Sequence, residues 1–262
     1  MKKIVTRLVL NLALIVSFNV AAVSNSFAHG EESRVGIELD ESAFTAGDVS
    51  LSFDLVDLQE KTTLTPSELN VVHERKLHLF IFDPALIEFR HVHPEFTNSK
   101  WTVTTDLQKN GHYWIWAQGE ISKGKAEFSS NTRAKVSAGL AENPTLPNLP
   151  ETRTGTDGIS RVTLSKQKIQ AGQMVMLDVD FSRTDGSKPE ITPYLGAKAH
   201  VIGVLSDGDT LIHVHPMNTA NPNTLMLHAT FPEPGNYRLW VQFNDAGILK
   251  TVPLAVVVQP AH

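Results

Sequence analysis

Two stretches of this chain repeat each other about 122 positions apart. Leu77-His78-Leu79-Phe80-Ile81-Phe82 is followed by His91-Val92-His93-Pro94, then by Gly111-His112-Tyr113-Trp114-Ile115-Trp116-Ala117-Gln118. Ala199-His200-Val201-Ile202-Gly203-Val204 is followed by His213-Val214-His215-Pro216, then by Gly235-Asn236-Tyr237-Arg238-Leu239-Trp240-Val241-Gln242. In both copies 13 positions separate the first histidine from the second. A period this long exceeds the roughly 20–50 residues of solenoid repeats and fits two tandem domains.

Each copy is built from short runs of Val, Ile, Leu, Phe and Thr, broken by Gly, Pro, Asn and Asp. That pattern is strand and turn, with no sustained helical period. About seven strands fit in a copy of about 100 residues, so an all-β chain of two tandem immunoglobulin- or cupredoxin-like β-sandwiches is expected. The domains are expected at residues 33–138 and 161–262. A Pro-, Gly- and Thr-rich linker over 139–160 joins them. Two helical turns are expected besides. One lies over Pro66–Arg75, with Thr65 as N-cap and Glu68 closing a capping box; the other covers Ala134–Ala141.

The N-terminus has the layout of an export signal over residues 1–28. Lys2, Lys3 and Arg7 precede a largely apolar run, Leu8 to Val23, and Ser26 and Ala28 supply small residues for a cut after Ala28; Ala22 is the competing cut. The run is interrupted and too short for a spanning helix of about 20 residues, so no membrane span is expected after cleavage. The protein is therefore expected in the periplasm or outside the cell. A cut after Ala28 would expose His29 as first residue, whose α-amine and imidazole together suit Cu(II).

The 262 residues carry a net charge of −5 and no cysteine. The acidic balance argues against nucleic acid as a partner. Lack of cysteine excludes disulfides, thiolate metal sites and cysteine nucleophiles, so any metal must be held by nitrogen, oxygen or thioether sulfur. The matched histidines supply nitrogen. In a strand, positions i and i+2 share a face, so His91 and His93 pair, as do His213 and His215. An antiparallel hairpin would bring His78 beside the first pair and His200 beside the second. The expected site is three imidazoles per domain, partly buried at one end of each sandwich. Its cofactor is expected to be copper, with zinc or nickel as alternatives.

Other groups are weaker candidates. Glu95 follows Pro94 where Met217 follows Pro216, which would make the second site softer; Met226 and His228 lie near it in sequence. Gln118 and Gln242 are candidates to hold a ligand imidazole in one tautomer. His73 is expected on a solvated loop and His262 on a frayed end. Tyr113, Trp116, Tyr237 and Trp240 are expected in the core, the tyrosines and tryptophans on opposite faces.

His73-Glu74-Arg75-Lys76-Leu77-His78-Leu79, Phe89-Arg90-His91-Val92-His93-Pro94 and Gly111-x-Tyr113-x-Ile115-Trp116 resemble exported bacterial sandwich domains of the YtkA-like or FixH-like kind. Tyr194-Leu195-Gly196-Ala197-Lys198-Ala199-His200 with His213-Val214-His215-Pro216 resembles a second such domain. The resemblance covers most of residues 40–135 and 165–258. It implies periplasmic proteins connected with heavy metals, copper especially. A looser likeness to CopC-like copper carriers implies a role for His29 alone, because this chain has two domains and the added His-x-His-Pro motifs.

Buffering or delivery of copper, with a periplasmic transporter or acceptor as partner, is the function expected. A structural or adhesive tandem sandwich with packed histidines is the alternative. A metal-dependent enzyme ranks last, because Glu95 is the sole nearby base and the second copy lacks it.

Overall fold

The strands that begin with His78 and His200 carry no polar side chain after that histidine, HLFIF and HVIGVL, and are buried at every position. A strand covered on one face alternates; a strand covered on both does not. Each of these strands is therefore packed twice, and that double packing organises the molecule.

The computed structural model describes residues 33–141 and 149–261. The proposed export signal, both cut sites, His29 and His262 lie outside the described residues. The first domain contains β1 (Val35–Leu39), β2 (Ala43–Thr45), β3 (Gly47–Asp57), β4 (Thr62–Thr63), β5 (His78–Phe82), β6 (Phe89–Val92), β7 (Glu95–Thr97), β8 (Lys100–Leu107), β9 (Gly111–Ile121) and β10 (Ala126–Ser137). The second contains β11 (Thr154–Thr156), β12 (Ser160–Leu164), β13 (Ile169–Gln170), β14 (Met174–Arg183), β15 (Ile191–Thr192), β16 (His200–Leu205), β17 (Leu211–Val214), β18 (Met217–Asn218), β19 (Thr224–Thr230), β20 (Gly235–Asp245) and β21 (Ile248–Gln259). Each domain is a two-sheet sandwich, and the orders correspond. One sheet runs β1-β3-β8-β7 in the first domain and β12-β14-β19-β18 in the second, extended there by β11. The other runs β2-β10-β9-β5-β6 and β13-β21-β20-β16-β17. The chain is thus a tandem pair of immunoglobulin-like β-sandwiches.

Alternation within strands fills the two sandwich cores. Leu79, Ile81, Tyr113 and Ile115 turn inward in the first domain, and Val201, Tyr237, Leu239 and Val241 in the second. The opposite faces of the same strands meet each other. Phe80, Phe82, Trp114 and Trp116 pack with Ile202, Val204 and Trp240 in a third core that belongs to both domains. Phe89 stacks on Trp240 with ring centroids 4.5 Å apart. The tyrosines and tryptophans do face opposite ways, but the tryptophans bury themselves against the other domain.

The polar edges of this joint are paired as burial requires. Trp116 Nε1 donates to Gly208 O at 3.1 Å, Trp114 Nε1 to Asp209 Oδ1 at 3.1 Å, and Arg238 Nε to Leu86 O at 3.1 Å. Gly208 has φ +83°, and a Cβ there would lie 2.3 Å from Cε2 of Trp114. The turn that carries it can lie against the indole only as glycine.

Three expectations are corrected. The linker was placed over 139–160, but Thr154–Thr156 is a strand paired with β12, and Thr152 bridges Ala255. The second sandwich therefore begins earlier, because Gly155 fits closely against the Pro253 carbonyl where no side chain would. Ala134–Ala141 is not helical: Phe128, Ser130, Ala134 and Val136 alternate inward along β10, which pairs with β9. Over Pro66–Arg75 only Pro66–Glu68 forms a 3-10 turn, although the capping box is present as expected, with Thr65 N donating to Glu68 Oε2 at 2.8 Å. Tertiary pairing outweighs the weak local preference beyond that turn.

Candidate metal centre

In the first hairpin Phe80 stands directly opposite His91, and Leu79 opposite Val92. His78, Phe80 and His91 therefore share a face, and His93 continues it beyond the strand end. The second hairpin repeats this, with Ile202 opposite His213 and Val201 opposite Val214. Each face points to the partner domain. The histidines accordingly lie at the joint between the sandwiches, not at one end of each as expected.

In each domain three ring nitrogens come within 4.8 Å of one another, from His78, His91 and His93 and from His200, His213 and His215. The other nitrogens fix the tautomers. His78 Nε2 donates to Val72 O at 3.0 Å, and His200 Nε2 to Tyr194 O at 2.8 Å. His91 Nδ1 donates to Gln242 Oε1 at 2.7 Å, and His213 Nδ1 to Gln118 Oε1 at 3.1 Å. Gln242 Nε2 donates in turn to Thr251 Oγ1, and Gln118 Nε2 to Ser129 Oγ, which sets the amide orientation.

A neutral imidazole that donates outward has only a lone pair to offer inward. His78 Nδ1 then faces His91 Nε2 at 3.0 Å, and His200 Nδ1 faces His213 Nε2 at 3.2 Å, while His215 Nε2 lies 2.7 Å from His200 Nδ1 and can donate to it. His93 Nε2 is buried with no hydrogen-bond partner. Lone pairs gathered this way repel one another, and a cation among them reverses the sign. Protonation does not supply it near neutral pH. Burial, together with the neighbouring rings, pushes His78 down to about 4 and His93 and His215 to about 3. Burial holds His91 and His213 well below the usual imidazole range and lowers His200. Six neutral imidazoles result, in two groups of three, and four of them are oriented by outward hydrogen bonds. Both groups are chemically fit to hold a divalent or monovalent transition-metal ion.

The two glutamines expected as supports do hydrogen-bond to triad imidazoles, but each serves the other domain. Gln118 lies opposite His78 across β5 and β9 yet binds His213; Gln242 lies opposite His200 across β16 and β20 yet binds His91.

His73, expected in solvent, is partly buried at the joint. Its ring centroid lies 3.8 Å from His215, 6.1 Å from His200 and 6.3 Å from His213. Val72 and Arg75 bond to each other through N and O in both directions, which places His73 (φ 49°) and Glu74 (φ 65°) at the tip of a two-residue turn. Tyr194–Ala197 forms the same turn in the second domain with Leu195 and Gly196 at its tip. Gly196 marked this turn in the sequence four residues before His200. The same offset from His78 falls on Glu74, which adjoins His73. Glu95 is exposed on β7 and is not part of either converging group.

Residues 30–135 and 154–260 both match one family, described as a domain of unknown function, DUF8832. The chain belongs to the DUF8832 family. It carries two copies of that domain, and each copy contains one complete histidine triad. No curated protein matches the chain. Among solved structures, it is similar to the fibronectin(III)-like modules of Clostridium thermocellum CbhA, at 15% identity over 86% of this chain and 95% of that one, with TM-score 0.23. It is also similar to the titin A168–A169 structure, at 11% identity over 86% and 97%, with TM-score 0.23. A third likeness is to the Escherichia coli adhesin FdeC, at 14% identity over 88% of this chain and 65% of that one, with TM-score 0.29. Among the described residues no helix is long and apolar enough to cross a membrane.

Proposed function

We propose that this DUF8832 protein is an exported metal-binding protein that buffers or delivers copper through one three-histidine site in each domain. The observation that carries this reading is the tautomer pattern. His78, His91, His200 and His213 each spend the outward nitrogen on a carbonyl or amide oxygen, so within each triad two inward lone pairs face each other, His78 Nδ1 with His91 Nε2 and His200 Nδ1 with His213 Nε2. An imidazole cluster packed only for structure would use its inner nitrogens in hydrogen bonds instead of opposing them. The sequence-level export signal supports a periplasmic or secreted location, where a transporter or soluble acceptor would exchange the ion.

The two sites differ in one respect. His73 adds a fourth imidazole beside the second triad, whereas Leu195 holds the equivalent turn position and offers no donor. On this reading each triad supplies three nitrogens, and His73 lies outside both converging groups as a ring packed beside the second, near enough to join an ion there only by turning. Nickel and zinc fit the same donors, and the preference for copper rests on the order of nitrogen-site affinities. Titration of the purified, metal-free protein with Zn(II) and Cu(II), followed by elemental analysis, tests the proposal. Two equivalents per chain are expected. Failure of both ions to bind stoichiometrically would leave a structural tandem sandwich.

A further inference from the structure

The chain contains 5 methionines, and the four after Met1 are Met174, Met176, Met217 and Met226. Methionine ordinarily fills cores. None of these four lies in any of the three cores. Met174 is 66% exposed, Met176 53% and Met217 50%, and Met226 is partly exposed.

All four fall on the outer face of one sheet in the second domain. Along β14, Leu177, Val179 and Phe181 turn inward, so Met174 and Met176 turn outward; along β19, Leu225, Leu227 and Ala229 turn inward, so Met226 and His228 turn outward. The register sets Met176 directly opposite His228, and Met226 opposite both Asp178 and Met217. Directly opposed side chains start from Cβ atoms about 5 Å apart, well within the reach of flexible thioethers.

The first domain supplies an internal comparison. Glu95 holds the place of Met217 after its own His-Val-His-Pro, and it stands opposite Thr102 as Met217 stands opposite Met226. Continuing the register, Ser52 pairs with Thr102, and Ser50 pairs with Thr104 through a 3.0 Å hydroxyl contact. One sandwich thus presents hydroxyls and a carboxylate where the other presents three thioethers and an imidazole. Neither set serves the packing beneath it, so packing does not account for the exchange.

We propose that Met176, Met217, Met226 and His228 form a separate surface site for Cu(I). Thioether sulfur is a soft, uncharged donor that selects monovalent copper over zinc or other hard divalent ions. An imidazole at the edge of the set strengthens it, and Asp178 beside Met226 adds negative field. Met217 lies two residues after His215. The face therefore adjoins the second triad along the chain and leads into it. This site stands on observations independent of the histidine triads, although its place beside them makes it a loading surface on the reading given above.

The test uses the full chain labelled with 13C at the methionine methyls. Zn(II) is added first, then Ag(I) as a redox-inert stand-in for Cu(I). Zn(II) is expected to leave the methyl signals of Met176, Met217 and Met226 in place, and one equivalent of Ag(I) to shift them. A double variant, Met176→Leu with Met226→Leu, nearly conserves volume on an outward face. It is expected to weaken Ag(I) at least tenfold while retaining the wild-type Zn(II) stoichiometry. Methyl signals that do not respond to Ag(I), that move equally with Zn(II), or an unweakened double variant would each overturn the proposal. Loss of Zn(II) binding in the wild-type protein alone would count against the triads and not against this face.

Discussion

The Oε1 atom of Gln242, in the second domain, lies 2.7 Å from Nδ1 of His91, in the first. The mirror contact joins Gln118 of the first domain to His213 of the second at 3.1 Å. Each amide fixes the tautomer of a ligand it does not share a sandwich with. Gln242→Leu is therefore expected to weaken the first-domain site and spare its own, and Gln118→Leu to do the reverse. The loss should be about 10- to 100-fold, the scale for removing a hydrogen-bond partner from a ligand. Competitive titration with a chromophoric chelator, run on each variant, reads this crossing. A loss confined to the domain that carries the substitution would contradict it.

Much of this arrangement is legible in the sequence. The 13-residue spacing in both copies forecast the hairpins, because period-two geometry leaves few ways to bring His78 to His91 and His93. Parity placed Trp116 and Tyr113 on opposite faces. What parity leaves open is what lies beyond the outer face. The unbroken run His78–Phe82 was the available clue, since a strand exposed on one side would alternate. His73 was missed for a different reason. Its position depends on a turn with two left-handed residues, and Glu74 occupies the place where glycine would have announced one.

The joint between the sandwiches depends on one backbone approach. Gly208 has φ +83° and lies against Trp114, so Gly208→Ala adds a methyl into the indole and strains the turn. The expected cost is about 1–3 kcal/mol, the usual range for overpacking. Both metal sites should weaken together, because both glutamine contacts cross the same joint. Urea denaturation with paired metal titration measures the two effects. Unchanged affinity at both sites in a destabilised variant would separate the joint from the sites.

Acid should act on the metal-free protein in a defined direction. The imidazoles of His78, His93 and His215 are lowered in the fold from 6.5 to about 4, about 3 and about 3. Between those values and 6.5 the unfolded chain binds more protons than the native one, so stability falls as pH falls. The contribution is fully present above about 6.5 and is lost progressively through the 6.5-to-3 window. Thermal unfolding across pH 8 to 4 without metal should show a decreasing midpoint, and saturating Zn(II) should flatten it above the point where ligand protonation displaces the ion. A midpoint independent of pH in the metal-free protein would mean that these rings are not buried as neutral bases.

His73 distinguishes the two sites. Its ring lies 3.8 Å from His215, while Leu195 replaces it at the matching turn. If His73 turns its nitrogen onto an ion held by His200, His213 and His215, that ion would have four nitrogen ligands, whereas three nitrogens leave a position for water or an incoming donor. Co(II), added as a spectroscopic probe, reads this difference in its visible spectrum. Strong absorption typical of four-coordinate nitrogen ligation is expected from the second site. His73→Ala should reduce that intensity and lower affinity there by about tenfold or more, since even a lost ligand support costs that much. The same variant should leave the first site unchanged. Leu195→His should conversely strengthen the first site, because it offers a donor from the matching turn. Identical Co(II) spectra for wild type and His73→Ala would show that the ring only packs against His215.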